Sequence, residues 1–329
     1  MKEVHLIKAA QIKPFVELLK DKGAAVDQYS RQTGLPLEQV LNETGVIGEF
    51  CAWKFIELAA KSENYDTLGY DSAQLNPITT PSDLGGFHMR YAQNLSTLLN
   101  YFIEDAQKES TGTNYILRED THAHWFTREQ MFGKENTSWQ VEQYMIAVII
   151  QIVRICAGKD WLPDEIRVSS TELPQALPNE WTGCRVGWGY ETTEIKIPNT
   201  ILALAPLEDR PFIDKNKDIH SNTVSSDLDL INLIKSQIHS KRINLESISQ
   251  QTGLSPKTLK RRLSSMDTSF TQIIENTKIE IARKKLSEEI TPIAKIADEL
   301  GYQHAANFTR AFKRLCGVSP QQYRNTFQN

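Results

Sequence analysis

The sequence predicts two domains of different class. The first is an α+β N-terminal domain, with a helical start and then a mostly antiparallel sheet carrying a packed helix; the second is an all-α C-terminal domain built on two helix-turn-helix units. Three observations predict this. Apolar spacing is helical through the first hundred residues, turns to strand-like alternation at about Thr113, and is helical again throughout after Asp227. One pattern of about twenty residues occurs twice in the C-terminal third. Charge is also divided: residues 221–329 hold 16 Lys and Arg against 10 Asp and Glu, a net of +6, while the remainder carries −10 within a whole-chain charge of −4.

The chain's 329 residues suffice for two domains, and its 40% hydrophobic and 24% charged content is that of an ordinary globular protein. No apolar core of 7–15 residues follows Met1-Lys2-Glu3, so no signal peptide is expected. The longest apolar run, YMIAVIIQIV, is too short for a membrane span and contains Gln151. Cys51, Cys156, Cys184 and Cys316 are scattered without a C-x-x-C pair, which points to reduced, packed thiols in a cytoplasmic protein.

Taken in order, residues from about Ala9 to Lys61 read as helices broken at Gly23, at Gly34-Leu35-Pro36 and at Gly45 and Gly48. The segment EFCAWKFIELAAK has helical apolar spacing, and PSDLGGF breaks the chain before a second amphipathic helix, HMRYAQNLSTLLNYFIEDAQK. NYILRED and HAHWFTREQ alternate across a short polar turn and read as a hairpin. A long helix from about Ser138 to Ala157 comes next, then the strand-like runs EIRVSS, CRVGWGY and TEIKIP. These segments define a domain over residues 1–207. The polar stretch 208–226 reads as a linker, and residues 227–329 form the second domain.

Within that second domain, NLESISQQTGLSPKTLKRRL matches TPIAKIADELGYQHAANFTRAF. Ile248, Ser249 and Gly253 correspond to Ile296, Ala297 and Gly301; after one extra turn residue, Leu259 and Leu263 correspond to Phe308 and Phe312. The units span about 244–265 and 291–316. Small Ser249 and Ala297 let paired helices approach, and Gly253 and Gly301 mark chain reversals requiring positive φ. Thr291 is expected to cap the first helix of the second unit, with Pro292 in its first turn. Leu259, Leu263, Phe308 and Phe312 point to the core, leaving Lys257, Lys260, Arg261 and Ser264 outward in the first unit. In the second, Phe308, Ala311, Phe312 and Leu315 form one apolar stripe opposite Arg310, Lys313 and Arg314. FTQIIENTKIEIARKKL, between the units, forms a helix of about 17 residues, or about 25 Å. Two cationic helices held on one face by such a spacer suit successive major grooves of DNA, about 34 Å apart.

The pattern GYxxxxNFxRxFKRxxGxSPxxYR, from Gly301 to Arg324, resembles the signature of AraC-type transcription regulators, and the resemblance covers about 227–327. It implies a seven-helix DNA-binding domain in which the second helix of each unit reads a major groove. By position the readers are Lys257, Lys260 and Arg261 in the first unit, and Ala305, Ala306, Asn307, Thr309 and Arg310 in the second, with Lys313 and Arg314 on the same cationic face. One departure stands out: Gln303, His304, Ala305 and Ala306 occupy a turn that usually supplies Ser and Asp, good N-caps. The first unit is therefore expected to supply most of the base reading, with the alanines meeting thymine methyls.

Residues 1–207 are similar, in the order and spacing of LGGFHMRYAQNLSTLLNYF and CRVGWGYETTEIKIPNTILALAP, to the ligand-binding domain of ornithine-utilisation-type regulators. That resemblance implies a small-molecule effector and a homodimer, with double-stranded promoter DNA and, for an activator, RNA polymerase as further partners. Trp125, Trp188 and Tyr190 are candidates for an effector pocket between sheet and helix, or for ordinary core. His122 and His124 share a strand face but lack a visible third ligand, and His88 is a lone histidine, so neither a metal nor a haem is expected. No nucleophile–base or paired-carboxylate arrangement points to an enzyme, and no cofactor is implied.

Overall fold

A computed structural model describes residues 4–77, 92–121, 123–130, 138–171, 174–207, 229–238, 243–288 and 290–326. The chain divides into two compact units, Glu3–Asp229 and Leu230–Asn329. The expected linker at 208–226 lies outside the described residues.

The first unit opens with β1 (Leu6–Lys8), α1 (Lys13–Asp21), α2 (Val26–Thr33), α3 (Leu37–Leu41), β2 (Val46–Gly48), α4 (Glu49–Glu63) and α5 (Leu68–Leu75). The helical start is legible in the sequence; the antiparallel pairing of β1 with β2 is not, because three residues are too few to display alternation. The α2–α3 turn is built on Ser30–Leu35: the Ser30 hydroxyl donates to the Leu35 carbonyl (2.8 Å) and the Thr33 hydroxyl to the Tyr29 carbonyl (2.9 Å).

Asn94 caps α6 (Leu95–Glu109) by accepting from the Thr97 amide at 2.9 Å; the start expected at His88 lies outside the described residues. The hairpin is formed by β3 (Thr113–Glu119) and β4 (Ala123–Gln130), antiparallel in register Arg118↔Trp125. Ser138 caps α7 (Trp139–Ala157), and β5 (Glu165–Arg167), β6 (Arg185–Gly187) and β7 (Thr193–Pro198) complete a sheet of order β3-β4-β7-β5-β6. Every pairing in it is antiparallel except β5 with β6.

The apolar run YMIAVIIQIV, too short by itself for a membrane span, belongs to the 19-residue α7, which is long and apolar enough to cross one. Here it is a core helix. Ile146, Ile149 and Val153 pack with Phe126, Ile166 and Ile195 of the sheet, while Val141 and Tyr144 reach the helical cluster of α1, α2 and α4. Its buried Gln and Glu side chains are bonded to other segments: Gln140 and Gln143 donate to the Asp66 carbonyl, and Glu142 accepts from the Ser169 hydroxyl and the Ser170 amide. Gly69 lets α5 lie against it, since a Cβ there would stand 1.8 Å from the Gln140 carbonyl oxygen.

The second unit contains α8 (Asp229–Ser236), α9 (Leu245–Thr252), α10 (Pro256–Ser265), α11 (Phe270–Glu288), α12 (Ile293–Glu299), α13 (Ala305–Cys316) and α14 (Pro320–Asn325). Gly253 and Gly301 lie in the left-handed region, at φ 67° and 72°, where α9 and α12 end. Leu259, Leu263, Phe308 and Phe312 are fully buried. The last two pack with Ile279, Ala282 and Leu286 of α11 and with Ile296 and Ala297 of α12.

Two expectations are corrected in this unit. Thr291 does not cap α12: Pro292 holds the cap position, no side chain bonds the first turn, and the Thr291 carbonyl instead accepts from the buried Arg324 guanidinium of α14. Leu315 does not extend the buried stripe; it is 44% exposed, because α13 ends one residue later at Cys316 and its last turn projects from the core.

Candidate nucleic-acid interface

Helix α10 starts from a strong local signal. Ser255 accepts from the Thr258 amide at 3.2 Å and Pro256 occupies the first helical position, where no amide donor is needed. With Leu259 and Leu263 turned inward, Lys257, Lys260, Arg261 and Ser264 are exposed. The three cations make no ion pair among the described residues, which leaves their donors available to a polyanion.

Helix α13 presents the matching face with a weaker start. His304 is at the cap position and its side chain makes no capping bond, so the first turn, with exposed Ala305, Ala306 and Asn307, starts without a side-chain cap. The Thr309 hydroxyl is half-buried and turned back to the Ala305 carbonyl at 3.0 Å. Arg310 donates to the Asn307 side-chain oxygen at 2.6 Å, fixing both as one polar pair on the exposed surface. Lys313 is exposed and unpaired among the described residues, whereas Arg314 is ion-paired with Glu275 of α11. This pairing is not visible in the sequence, since the two residues are 39 positions apart.

The 19-residue α11 separates the two helix pairs; at about 1.5 Å per residue it is about 28 Å long, close to one turn of duplex DNA. Each pair thus carries an αL glycine turn, two buried anchors and an exposed cationic helix.

The three effector-pocket candidates do not come together at one site. Strand alternation puts Trp125 on the sheet face opposite Phe126, away from α7, where the Arg167 guanidinium stacks on it at 3.9 Å. Tyr190 is exposed and flanks the same arginine at 5.4 Å, and Trp188 packs edge-on against Trp139 at 4.7 Å. His122 lies outside the described residues, as does His88; His124, on β4, hydrogen-bonds the Asn199 side chain at 2.7 Å. Among the described residues no His, Cys, Asp and Glu cluster could hold a metal ion.

The first unit does contain a cavity, of about 90 Å³, and none of those three aromatic residues lines it. It lies where α1, α4, α6 and α7 meet β3 and β4, and Glu49, Tyr115, Arg128 and Tyr144 bring polar groups to it. Burial pushes the Glu49 carboxyl up to about 7, against the opposing effects of its Ser110 hydrogen bond and the Arg128 charge. The sequence does carry a signal for this site: Glu49, Trp53 and Ile56 fall at i, i+4 and i+7, which places an acid in a buried stripe.

Comparison with known proteins places the second unit. Residues 248–326 match the family model described as a helix-turn-helix domain. This region is an AraC-type DNA-binding domain. The chain is 32% identical over 81 residues to the ornithine utilization regulator of Pseudomonas aeruginosa, covering 25% of this chain and 24% of that protein. It is 30% identical over 117 residues to the transcriptional regulator AdiY of Escherichia coli, covering 36% and 45% respectively. The matches thus span less than half the length of these AraC-type relatives. A solved structure, the C-terminal domain of AraT from Geobacillus stearothermophilus, is 32% identical, covers 30% of this chain and 81% of that one, and has a TM-score of 0.28.

Proposed function

We propose that the protein is a cytoplasmic, non-enzymatic transcription regulator that binds promoter DNA through two helix-turn-helix units and answers to a small metabolite held by its N-terminal domain. Residues 1–207 are the sensing and dimerising part, and residues 227–329 the DNA-binding part. The observation that carries this reading is the pair of matched exposed faces, Lys257, Lys260 and Arg261 on α10 and Asn307, Arg310 and Lys313 on α13, spaced by α11. A homodimer would bring four such helices to one operator, and contact with RNA polymerase would make the outcome activation. The metabolite acts by binding one of two conformations more tightly, which shifts the population competent for DNA.

The test is fluorescence anisotropy on the promoter. Replacing Lys257, Lys260 and Arg261 together by Ala is expected to abolish specific binding, since each bidentate base contact contributes about 1–3 kcal/mol of discrimination. Unchanged affinity and specificity in that variant would refute the assignment of α10 as the principal reader. A metabolite panel tested on the same DNA reads the sensor: a constitutive regulator would bind equally in its presence and absence.

A further inference from the structure

The cavity lined by Glu49 and Arg128 holds a buried cation whose hydrogen-bonding capacity is only partly used among the described residues. Arg128 is only 2% exposed. One terminal nitrogen makes a long bond to the Thr113 hydroxyl, at 3.4 Å, and the guanidinium also hydrogen-bonds the Tyr115 hydroxyl. The Trp53 ring faces the guanidinium carbon at 5.1 Å. The Arg128 Nε is buried with no hydrogen-bond partner among the described residues. A desolvated guanidinium ordinarily has a carboxylate or several oxygen acceptors.

The acids around the cavity are already engaged. Glu109 is bound by Lys8 at 2.6 Å and by Gln11 at 3.1 Å. Glu49 accepts from the Ser110 hydroxyl at 2.9 Å and from the Gly112 amide and Thr113. Its ion-pair partner is not Arg128, whose charge it feels only at longer range. A second donor, the hydroxyl of half-buried Tyr144, lines the same space. The site therefore lacks an anionic oxygen ligand rather than a cationic one.

The rest of the lining fixes what else the ligand must be. Phe15, Phe102, Met145 and Val148 give it an apolar wall, and the polar groups of Gln11, Glu109, Ser110 and Thr113 beside them are bonded to protein partners. At about 10–15 Å³ for a single water on the same measure, about 90 Å³ has room for a small molecule of several non-hydrogen atoms. We infer that this cavity binds a short-chain monocarboxylate, whose carboxylate accepts from Arg128 and Tyr144 and whose hydrocarbon tail packs against Trp53, Phe102 and Val148. The inference rests on the sensor reading proposed above and names the ligand class for it.

The experiment uses the full chain and three probe sets of matched size: butanoate and 3-methylbutanoate, their primary amides, and the corresponding alcohols. Thermal shift and calorimetry are expected to show saturable binding of the carboxylates, with the amides and alcohols at least tenfold weaker. Arg128→Met should remove that preference, and circular dichroism checks that the variant folds. Val148→Phe fills the cavity without touching Arg128 and should abolish binding of all probes. Equal binding of amides and carboxylates, binding that survives both substitutions, or no saturable carboxylate binding overturns the inference. A neutral or cationic metabolite that binds wild type but not Val148→Phe overturns the ligand class and leaves the sensor reading standing. Carboxylate binding with no effect on promoter anisotropy leaves the site standing and overturns the sensor reading.

Discussion

Single residues decide two measurable properties. Glu49 is fully buried and its carboxyl is pushed up to about 7, with burial the leading cause. In the unfolded chain the group returns to about 4.3. Between those values the folded protein holds a proton that the unfolded chain has lost, so stability is greatest below about pH 4.3 for this group, declines as pH rises, and levels off above about 7. Urea titrations at pH 5 and pH 8 are expected to show that decline, and Glu49→Gln should flatten it by an amount on the order of 3 kcal/mol. Glu142, also raised by burial, retains its own slope in that variant. His304 is the second case: with no capping bond at the start of α13, His304→Ser is expected to stabilise the domain by about 1 kcal/mol in denaturant titration. The equivalent position of α10 already has Ser255, so Ser255→Ala should cost a similar amount.

At the level of elements, the same short sequence makes the same turn in both units and serves different ends. Ser30-Arg31-Gln32-Thr33-Gly34-Leu35 and Ser249-Gln250-Gln251-Thr252-Gly253-Leu254 share a Ser hydroxyl bonded to the Leu carbonyl, a Thr hydroxyl bonded four residues back, and a glycine at φ 77° or 67°. The helices beyond the two turns differ. α3 is five residues long and carries Glu38, whereas α10 is ten residues long and carries Lys257, Lys260 and Arg261. The turn is thus a local device, and length and charge of the next helix decide whether a polyanion can use it. Close packing of elements gives another prediction. Gly69→Ala would drive a Cβ into the backbone of Gln140, so α5 must separate from α7; a loss of about 1–3 kcal/mol and a lower melting temperature are expected.

For the whole molecule, the charge division sets how the protein meets DNA. The exposed cations Lys257, Lys260, Arg261 and Lys313, unpaired among the described residues, with Arg310 held by Asn307, lie in the cationic third of an acidic chain. If all five neutralise phosphates, log K should fall with log salt at a slope of roughly −4 to −5. Replacing the three α10 cations should shallow that slope by up to about 3 in anisotropy measured from about 50 to 200 mM salt. Arg314, which resembles the others in sequence, should matter less because Glu275 already holds it.

What the sequence determined by itself was whatever depends on residues close along the chain. Helix periodicity, the hairpin, the αL glycines Gly253 and Gly301, the inward anchors Phe308 and Phe312, and the outward cations all stem from spacing of about 3.6 or 2 residues. The tertiary structure decided what depends on distant partners. Trp125 proved to face away from α7, Arg314 met Glu275, Thr291 gave its carbonyl to Arg324, and α7 became the centre of a core rather than a free apolar span. The cavity belongs to the same class. Glu49 and Arg128 are 79 positions apart, and only packing of α4 against the β3–β4 hairpin brings both to one apolar space and strips them of water. The helical spacing of Glu49, Trp53 and Ile56 marks an acid in a buried stripe, but which distant residues share its space is a property of the assembled core that no local pattern encodes.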